Sequence, residues 1–389
     1  MSRYNVGIVG ATGYTGSELV RLLLGHSEIN LKVMTSESRA GTKFSKIYPH
    51  FDELADMELE SQDQLDNYDL DLVFLALPHG VSMDFVNEHG FDKFRIIDLS
   101  GDYRLLSSDM YKQWYGKDHS NPDNIEKAVF GLPELFRNQV RNADLVANPG
   151  CYPTSAILPL APLLKNKMVD PGDIVVDSKS GVTGAGAKAK DMTHFPEVFG
   201  NFSAYALKSH RHTPEIQNTL HQYAGEEVRI QFTPHLLPID RGILTTTYSK
   251  PLGEMDEELV QETFLNFYEK EHFVRVIDQP PSVKHVRGSN YCDIYVTYDQ
   301  RKTVYTALRQ FHLPRMDDAG VVDFDPDRCR VRLTEEARAL QVHLEVVPAD
   351  EIPWADYYLG VSVVAGLLVL AILADFFVFG DVPSVAWLG

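Results

Sequence analysis

Short apolar runs alternate with amphipathic stretches through the first 150 residues. The stretch after the first run, GATGYTGSELVRLLLGH, places Leu19, Leu22 and Leu23 on one face of a helix. Strands that alternate with helices predict an α/β fold with a doubly wound parallel sheet, in which ligands bind at the carboxyl ends of the strands. The apolar runs are residues 4–10, 29–36, 70–78, 94–101 and 143–150.

The pattern changes near residue 172, where strand-like segments rich in Val, Ile, Thr and Tyr become frequent. Helix-like stretches such as DEELVQETFLNFYEKE separate them, which predicts a second α+β domain with a mainly antiparallel sheet. After about residue 301 the chain becomes acidic and weakly patterned. We therefore expect a first domain over 1–148, a second over 149–305 and a divergent tail over 306–389.

The tail contains one almost wholly apolar segment, residues 359–380. It is long enough to span a bilayer, because about 20 residues suffice. Asp375 inside it is costly in lipid, and no Lys or Arg follows Arg338 to set an orientation. The favoured interpretation is a membrane-associated helix that projects from the folded body. A packed element and a segment without a native role are the alternatives.

The charge of the chain limits its partners. It carries 36 Lys and Arg against 55 Asp and Glu, and this acidic balance argues against nucleic-acid binding. Its three cysteines, Cys151, Cys292 and Cys329, form neither a disulfide framework nor a metal-binding spacing. The N-terminus lacks the long apolar stretch of a signal peptide. We expect a protein of the reducing cytoplasm that contacts a membrane only through 359–380.

Three glycines stand three residues apart between the first strand and the first helix. Glycines let the backbone turn tightly and approach a pyrophosphate, which then lies at the helix N-terminus. We predict a dinucleotide-binding turn of the Rossmann type, and the alternative is a tight turn without a ligand. The predicted cofactor contacts on this turn are Gly10, Thr12, Gly13, Tyr14, Thr15 and Gly16.

The type of cofactor depends on the end of the second strand, where the sequence is TSESRAG. Ser36 and Arg39 suit a 2′-phosphate, whereas Glu37 would suit the ribose hydroxyls of NAD. NADP is favoured, with a solvated loop charge as the alternative for Arg39. Pro78 and Ser100 lie at the ends of two other apolar runs and are expected to contact the cofactor at the same crevice.

Cys151 lies in ANPGCYPT, between an apolar run and a predicted helix start. Backbone N–H groups and the helix dipole at such a position favour a thiolate, so a nucleophile is predicted, against the alternative of a buried structural thiol. A nucleophile needs a proton-transfer partner, and SHRHTPEI offers His210, His212 and Glu215. An acid/base role is preferred over a structural histidine pair or a metal site.

Three further stretches carry groups that suit a phosphate or a carboxylate. Ser180, Gly181 and Gly184 lie in a loop whose backbone amides could line a carbonyl or a phosphate. Arg104, in LSGDYR, and Arg241, in PHLLPIDRGI, offer guanidinium forks. The alternative for each arginine is a surface ion pair, which for Arg104 would involve the aspartate of its own motif.

These motifs together point to a known family. GIVGATGYTGSEL, DLSGDYRL, GLPEL, ANPGCYPT, SKSGVTGAG, HRHTPEI and HLLPIDRGI closely resemble, in order, the N-acetyl-gamma-glutamyl-phosphate reductases of arginine biosynthesis. The match covers about residues 3–300. It implies NADPH-dependent reduction of an acyl phosphate to an aldehyde, with release of phosphate, in a homo-oligomer. It further implies that 1–148 binds NAD(P), and that 149–305 carries catalysis, substrate binding and dimerisation.

The resemblance also implies roles for single residues. By motif position, Cys151 is the nucleophile, His212 is the acid/base, and His210 and Glu215 contact the substrate. Further substrate contacts are expected from Arg104, Ser180 and Arg241, and further cofactor contacts from Gly181 and Gly184.

After about residue 300 the chain departs from the family. The family continues with a strand and a Gly/Ala-rich helix that returns to the cofactor domain, and RKTVYTALRQFHLP does not match this pattern. Relatives that act on aspartyl or N-acetyl-aminoadipyl phosphate stay open, because one methylene changes discrimination by only ~1–3 kcal/mol. A membrane-tethered cofactor-binding protein without catalysis is the alternative from another class.

Overall fold

The computed structural model describes residues 3–298 and two short strands, Val322–Asp325 and Arg330–Leu333. The chain divides into two units between residues 298 and 299, and each is described by itself.

A parallel sheet of six strands forms the first half of the larger unit. Its order is β2-β1-β3-β4-β6-β5, and every pairing is parallel. From β1 the chain adds β2 on one side and then continues with β3 on the other side. The strand order therefore switches between β1 and β3, and the carboxyl ends of these two strands border a crevice. The strands are β1 Tyr4–Val9, β2 Ile29–Thr35, β3 Leu72–Leu75, β4 Arg95–Asp98, β5 Val129–Phe130 and β6 Leu145–Ala147.

Helices follow most of these strands, as the alternating pattern predicted. Val6, Ile8 and Val20 are fully buried between the first strand and the first helix, which explains why both segments are apolar on their facing sides. The helices are α1 Tyr14–Leu24, α2 Phe44–Ile47, α3 Val81–His89, α4 Ser108–Tyr115 and α5 Pro133–Asn142. Short 3₁₀ turns lie at Pro49–Phe51, Gln62–Asn67 and Pro122–Asn124.

A mixed sheet of four strands forms the second half, with the order β10-β7-β9-β8. Two of its three pairings are antiparallel, and β7 pairs with β9 in parallel. The predicted mainly antiparallel second domain is therefore confirmed. Its strands are β7 Val169–Ser180, β8 Ser203–Ala204, β9 Ile230–Leu236 and β10 Ile243–Pro251, and a small parallel pair follows, β11 Val274–Val276 with β12 Cys292–Ile294.

The helices of the second half cover one face of this sheet. Ala156, Ile157 and Leu160 are fully buried in the same core cluster as Val176, which fixes α6 against β7. The helices are α6 Cys151–Lys165, α7 Phe195–Val198, α8 His212–Ala224, α9 Glu257–Tyr268 and α10 Val283–Val286, with 3₁₀ turns at Val182–Ala185 and Asp191–Thr193.

In the smaller unit, β13 Val322–Asp325 pairs antiparallel with β14 Arg330–Leu333. The predicted apolar helix over 359–380 lies outside the described residues. Among the residues that are described, no helix is both long and apolar enough to cross a membrane. The predicted domain boundaries stay predictions.

Candidate active site

The glycine turn between β1 and α1 has the geometry of a close backbone approach. Gly10 has a φ of 87°, and a side chain there would begin 2.5 Å from the carbonyl oxygen of Ala76. A side chain at Gly16 would collide with the carbonyl oxygen of Gly10. Gly13, in contrast, has only that oxygen nearby, at 3.9 Å from where its side chain would begin. The turn is thus packed on its protein side and open at Gly13, next to the helix N-terminus.

The surroundings of the turn hold the other predicted cofactor contacts. Thr12 Oγ1 lies 3.0 Å from Ser36 Oγ, which joins the turn to the end of β2. Tyr14 and Thr15 are exposed on the first turn of α1, and Arg39 is exposed on the loop after β2. This arrangement places all five side chains around one end of the sheet.

Glu37, the residue that favoured NAD, is engaged elsewhere. Its Oε1 accepts a hydrogen bond of 2.8 Å from the backbone N–H of Gln62. The carboxylate thus binds the neighbouring loop.

Two loops at the ends of β3 and β4 lock together beside this turn. Asp102 accepts from the N–H of Gly80 at 2.9 Å, from the N–H of Met83 at 3.0 Å and from the hydroxyl of Tyr111 at 2.8 Å. His79 Nδ1 accepts from the N–H of Gly101 at 2.7 Å. The loop after β3 is therefore fixed by side chains, with Pro78 exposed at its start.

Ser100 is buried, and its hydroxyl donates to Asp98 Oδ2 at 2.7 Å. Burial raises the pKa of Asp98 to about 6, although the hydrogen bonds from Ser100 lower it. The Ser100 hydroxyl is therefore engaged by a hydrogen bond within its own loop. Contact of the Ser100 backbone with a cofactor stays a prediction.

Cys151 is the first residue of α6, directly after Gly150. The N–H of Gly150 donates to Glu215 Oε1 at 2.7 Å. The His212 ring packs on the other side of this glycine, since a side chain there would begin 2.5 Å from His212 Nε2. The start of α6 and the start of α8 thus meet at Gly150, which brings the predicted nucleophile and the predicted acid/base together.

The pKa of the Cys151 thiol lies above its usual value. Although Cys151 keeps an exposed surface, desolvation in the cleft raises the pKa of its thiol. The N–H of Tyr152 and the charge of Arg104 lower the pKa, but by less. The N–H groups at the helix start therefore favour the thiolate as expected, but desolvation in the cleft contributes more, and the pKa of the thiol is raised overall.

His212 is held as a neutral imidazole. Burial, and then the positive charge of Arg104, lower its pKa well below the usual range. Its Nδ1 is buried without a hydrogen-bond partner among the described residues. The neighbouring His210 ring lies 4.8 Å away, and burial lowers its pKa to about 4. A neutral imidazole beside a neutral thiol can accept the thiol proton at the moment of attack.

Arg104 and Glu215 form a buried charged pair behind these groups. Arg104 Nη1 lies 3.6 Å from Glu215 Oε2, and the side chains are only 6% and 1% exposed. Arg104 Nη2 also donates to the carbonyl of Leu99 at 2.6 Å. The alternative of a surface pair between Arg104 and Asp102 is wrong, because Arg104 turns inward. Its Nε and Glu215 Oε2 have no hydrogen-bond partner among the described groups.

The Gly/Ser/Thr loop after β7 uses its amides internally. The N–H of Gly181 donates to Gly242 O at 2.9 Å, and the N–H of Gly184 reaches Gly181 O at 3.4 Å. Ser180 is buried and donates to Gly181 O at 2.9 Å. The Gly181 amide thus donates to the facing loop and the Gly184 amide within its own loop, and the predicted contacts of these amides with a ligand stay predictions.

Arg241 belongs to that facing loop. Its Nη1 lies 3.1 Å from Glu18 Oε2 on α1, and both side chains are partly exposed. The guanidinium therefore links the two halves of the unit at the glycine turn, and its predicted contact with substrate stays a prediction.

Sequence reasoning missed several residues of the cleft. Tyr115 contacts His79 edge to face, with ring centroids 5.2 Å apart, and Arg211 covers the same ring at 5.0 Å. Tyr152 contacts both His210 and His212, at 5.5 and 5.9 Å. His79 follows an apolar run as Pro78 does, which is the one signal that could have found it. Within the described residues no three His, Cys, Asp or Glu side chains come together as a metal site.

Comparison with known proteins identifies the family. Residues 5–143 match the family model "Semialdehyde dehydrogenase, NAD binding domain", and residues 151–309 match "Semialdehyde dehydrogenase, dimerisation domain". The first match supports a nicotinamide cofactor.

Two solved structures share the fold. Aspartate semialdehyde dehydrogenase II from Vibrio cholerae superposes with a TM-score of 0.59 at 15% identity, over 77% of this chain and 89% of that one. The Candida albicans aspartate semialdehyde dehydrogenase with NADP gives 0.55 at 15% identity, over 76% and 89%. At this identity the likeness concerns the fold alone.

Curated relatives are much more similar in sequence. The N-acetyl-gamma-glutamyl-phosphate reductase of Pelotomaculum thermopropionicum is 48% identical over 301 residues, which cover 76% of this chain and 86% of the relative. That of Methanosphaera stadtmanae is 46% identical over 297 residues, covering 76% and 85%. The prediction from the motifs is confirmed, and the chain belongs to the N-acetyl-gamma-glutamyl-phosphate reductase family, whose members are nicotinamide-dependent oxidoreductases.

Proposed function

We propose that this protein reduces N-acetyl-L-glutamyl 5-phosphate to N-acetyl-L-glutamate 5-semialdehyde with NADPH, releasing phosphate, through a thioester on Cys151. The observation that carries the proposal is the meeting of Cys151 and His212 at Gly150. The relatives at 44–48% identity bear the name of this reductase.

The first step forms the thioester. His212 takes the thiol proton as Cys151 Sγ attacks the acyl carbon, the S–C bond forms, and the C–O bond to phosphate breaks. The proton then leaves with the phosphate. Neutral partners suit this concerted transfer, because neither group has to be charged in the desolvated cleft beforehand.

The second step reduces the thioester. NADPH, when bound, supplies the hydride that adds to the thioester carbonyl carbon. Collapse of the resulting thiohemiacetal oxyanion breaks the C–S bond, releases the aldehyde and returns the thiolate, which takes up a proton from solvent by way of His212. We expect the N–H groups at the start of α6, where Cys151 lies, to stabilise the oxyanion, an effect worth on the order of 3 kcal/mol for one donor.

NADP is proposed over NAD because of the loop after β2. Ser36 and Arg39 lie near the turn, while the Glu37 carboxylate is bound to the N–H of Gln62. This hydrogen bond holds one of the two carboxylate oxygens of Glu37 to the neighbouring loop, which disfavours a bidentate contact with the ribose hydroxyls. Removing the guanidinium in Arg39→Met is expected to raise KM for NADPH while leaving KM for the acyl phosphate unchanged.

The protein is proposed to act in the cytoplasm as a homo-oligomer formed through its second half, which matches the dimerisation-domain model. Phe195 and Phe199, each 72% exposed, stack on each other at 5.2 Å in this half, and Phe202 nearby is 55% exposed. Such a patch suits contact with a second copy. Light scattering of the purified protein tests assembly, and a monomer at micromolar concentration would contradict it.

The activity is tested in the oxidative direction with the purified full chain. N-acetylglutamate 5-semialdehyde, phosphate and NADP should yield NADPH in a phosphate-dependent reaction. Aspartate semialdehyde and the aminoadipyl homologue serve as competing substrates, and NAD as the competing cofactor. Faster turnover of a competitor would reassign the substrate. Cofactor binding without turnover of any aldehyde would favour a protein that lacks catalysis.

A further inference from the structure

Two cations beside the cleft have no carboxylate partner among the described residues. Arg211 lies with its guanidinium carbon 5.0 Å from the centre of the Tyr115 ring, and no Asp or Glu oxygen is within ion-pair distance. Lys117 places its Nζ 3.4 Å from where a side chain on Gly80 would begin, also without an ion pair. Both side chains are exposed, and their positive charges lie close enough to His79 to lower its pKa, so this place is locally positive in a chain with 55 acidic and 36 basic residues.

His79 adds a neutral donor to the same place. Its Nδ1 accepts from the N–H of Gly101, so the ring proton is on Nε2, which makes no hydrogen bond within the described residues. Burial, and then the charges of Arg211 and Arg104, lower the pKa of His79 to about 3. The ring therefore offers an N–H without carrying a charge of its own.

Tyr115 holds this group together. Its ring contacts His79 on its edge and Arg211 on its face, and its hydroxyl end packs against Gly101. The loop after β3, the end of α4 and the start of α8 thus form one continuous wall. Arg211 directly precedes His212, whose ring touches Gly150 beside Cys151, so this wall lies next to the predicted nucleophile and acid/base.

We propose that Arg211, His79 and Lys117 form the subsite that binds the phosphate of the acyl phosphate. The inference rests on the proposed function and names residues for one part of it. A guanidinium fork and two further donors match the three terminal oxygens of the group, and they stabilise the charge that grows as the C–O bond breaks. Arg104 is left to its buried pair with Glu215.

The same cations would also suit a phosphate of the cofactor, so the test separates the two sources. We compare Arg211→Met and Arg211→Lys with the wild-type chain in the phosphate-dependent oxidation of the semialdehyde. Arg211→Met should raise KM for inorganic phosphate about 10- to 100-fold, as expected for a lost hydrogen bond to a charged group. Arg211→Lys should recover part of this loss, and KM for NADP and for the semialdehyde should stay unchanged.

Lys117→Met should raise the same KM by a smaller factor. Its matched control is Lys112→Met, a lysine of α4 that is paired with Asp118, and this substitution should leave every constant unchanged. A rise in KM for NADP with phosphate unaffected would assign the cations to the cofactor and overturn the proposal. The proposal would also be overturned if every kinetic constant stayed unchanged in these variants.

A second measurement separates failure of this subsite from failure of the proposed function. Inorganic phosphate should slow alkylation of Cys151 by iodoacetamide in the wild-type chain and not in Arg211→Met, whether or not the semialdehyde is turned over. Protection that persists in a folded Arg211→Met variant would contradict the subsite. If the semialdehyde is not turned over but phosphate still protects Cys151 in an Arg211-dependent way, only the assigned substrate would be contradicted.

Discussion

The glycine turn at residues 10–16 and the cleft around Cys151 lie in one unit but are held in different ways. In the turn, backbone packs on backbone, and Gly10 and Gly16 are needed because no side chain fits. In the cleft, side chains from separate loops hold each other, and the buried Arg104–Glu215 pair lies behind the proposed catalytic groups. We therefore expect an added side chain to destabilise the turn, and removal of a charged side chain to destabilise the cleft.

The largest effect is expected from Cys151→Ala. Loss of the nucleophile should lower kcat by at least ~10⁴-fold, because the chemical step has no substitute group. Binding of NADPH, which we assign to the turn, should be unchanged in a fluorescence titration. Cys292→Ala is the control, since that thiol is half-buried in β12, and turnover by Cys151→Ala would show that the nucleophile is misassigned.

His212→Asn should come next, with kcat reduced by ~10²–10⁴-fold for a lost acid/base. His210→Asn keeps the ring neighbour His212 in place and should mainly raise KM for the substrate. Steady-state kinetics on both variants measures the difference. The opposite pattern would mean that the two histidines exchange roles.

Glu215→Ala tests the charge side of the comparison. Removing one member of a buried pair leaves Arg104 uncompensated and should cost ~3–5 kcal/mol of unfolding free energy. Glu18→Ala breaks partly exposed pairs with Arg21 and Arg241 and should cost ~0–1 kcal/mol. Urea denaturation compares the two, and similar losses would contradict the distinction between cleft and surface.

Gly16→Ala and Gly13→Ala test the backbone side. Alanine at Gly16 meets the Gly10 carbonyl and should destabilise the chain by ~1–3 kcal/mol, the usual cost of overpacking. Alanine at Gly13 meets almost nothing and should leave stability nearly unchanged while weakening NADPH binding, because it fills the open face. Equal stability of the two variants would contradict the packing described for the turn.

The smallest effect concerns pH. The thiol pKa of Cys151 is raised above its usual value of 9.0, so the thiolate becomes abundant only at alkaline pH. The rate of Cys151 alkylation by iodoacetamide in the free enzyme should therefore keep rising beyond pH 9. A plateau already reached near neutral pH would indicate a thiolate–imidazolium pair instead of neutral partners.

The turn could be predicted from the sequence because its determinants are local. The spacing of Gly10, Gly13 and Gly16 between a strand and a helix is a property of a few consecutive residues. The start of α6 at Cys151 was likewise marked by its own neighbours. Family membership followed from the order of such local motifs.

The cleft was only partly predictable, because its properties depend on contacts between distant segments. No local pattern shows that Arg104 turns inward to Glu215, or that Tyr115 links His79 with Arg211. The direction of the Cys151 pKa depends on how much water the assembled cleft excludes, which the helix start alone does not reveal. The N–H of Gly181 donates to the carbonyl of Gly242, which lies far along the chain, so this contact could not be predicted from the local sequence either.

The central claim is that catalysis passes through a thioester on Cys151. Its most direct test is intact and peptide mass spectrometry of the full chain after incubation with N-acetylglutamyl 5-phosphate in the absence of NADPH. The predicted result is one N-acetylglutamyl group on the peptide that contains Cys151, which disappears when NADPH is added. Acylation of Cys292 instead, or phosphate release and full turnover with no acylated Cys151, would contradict the account.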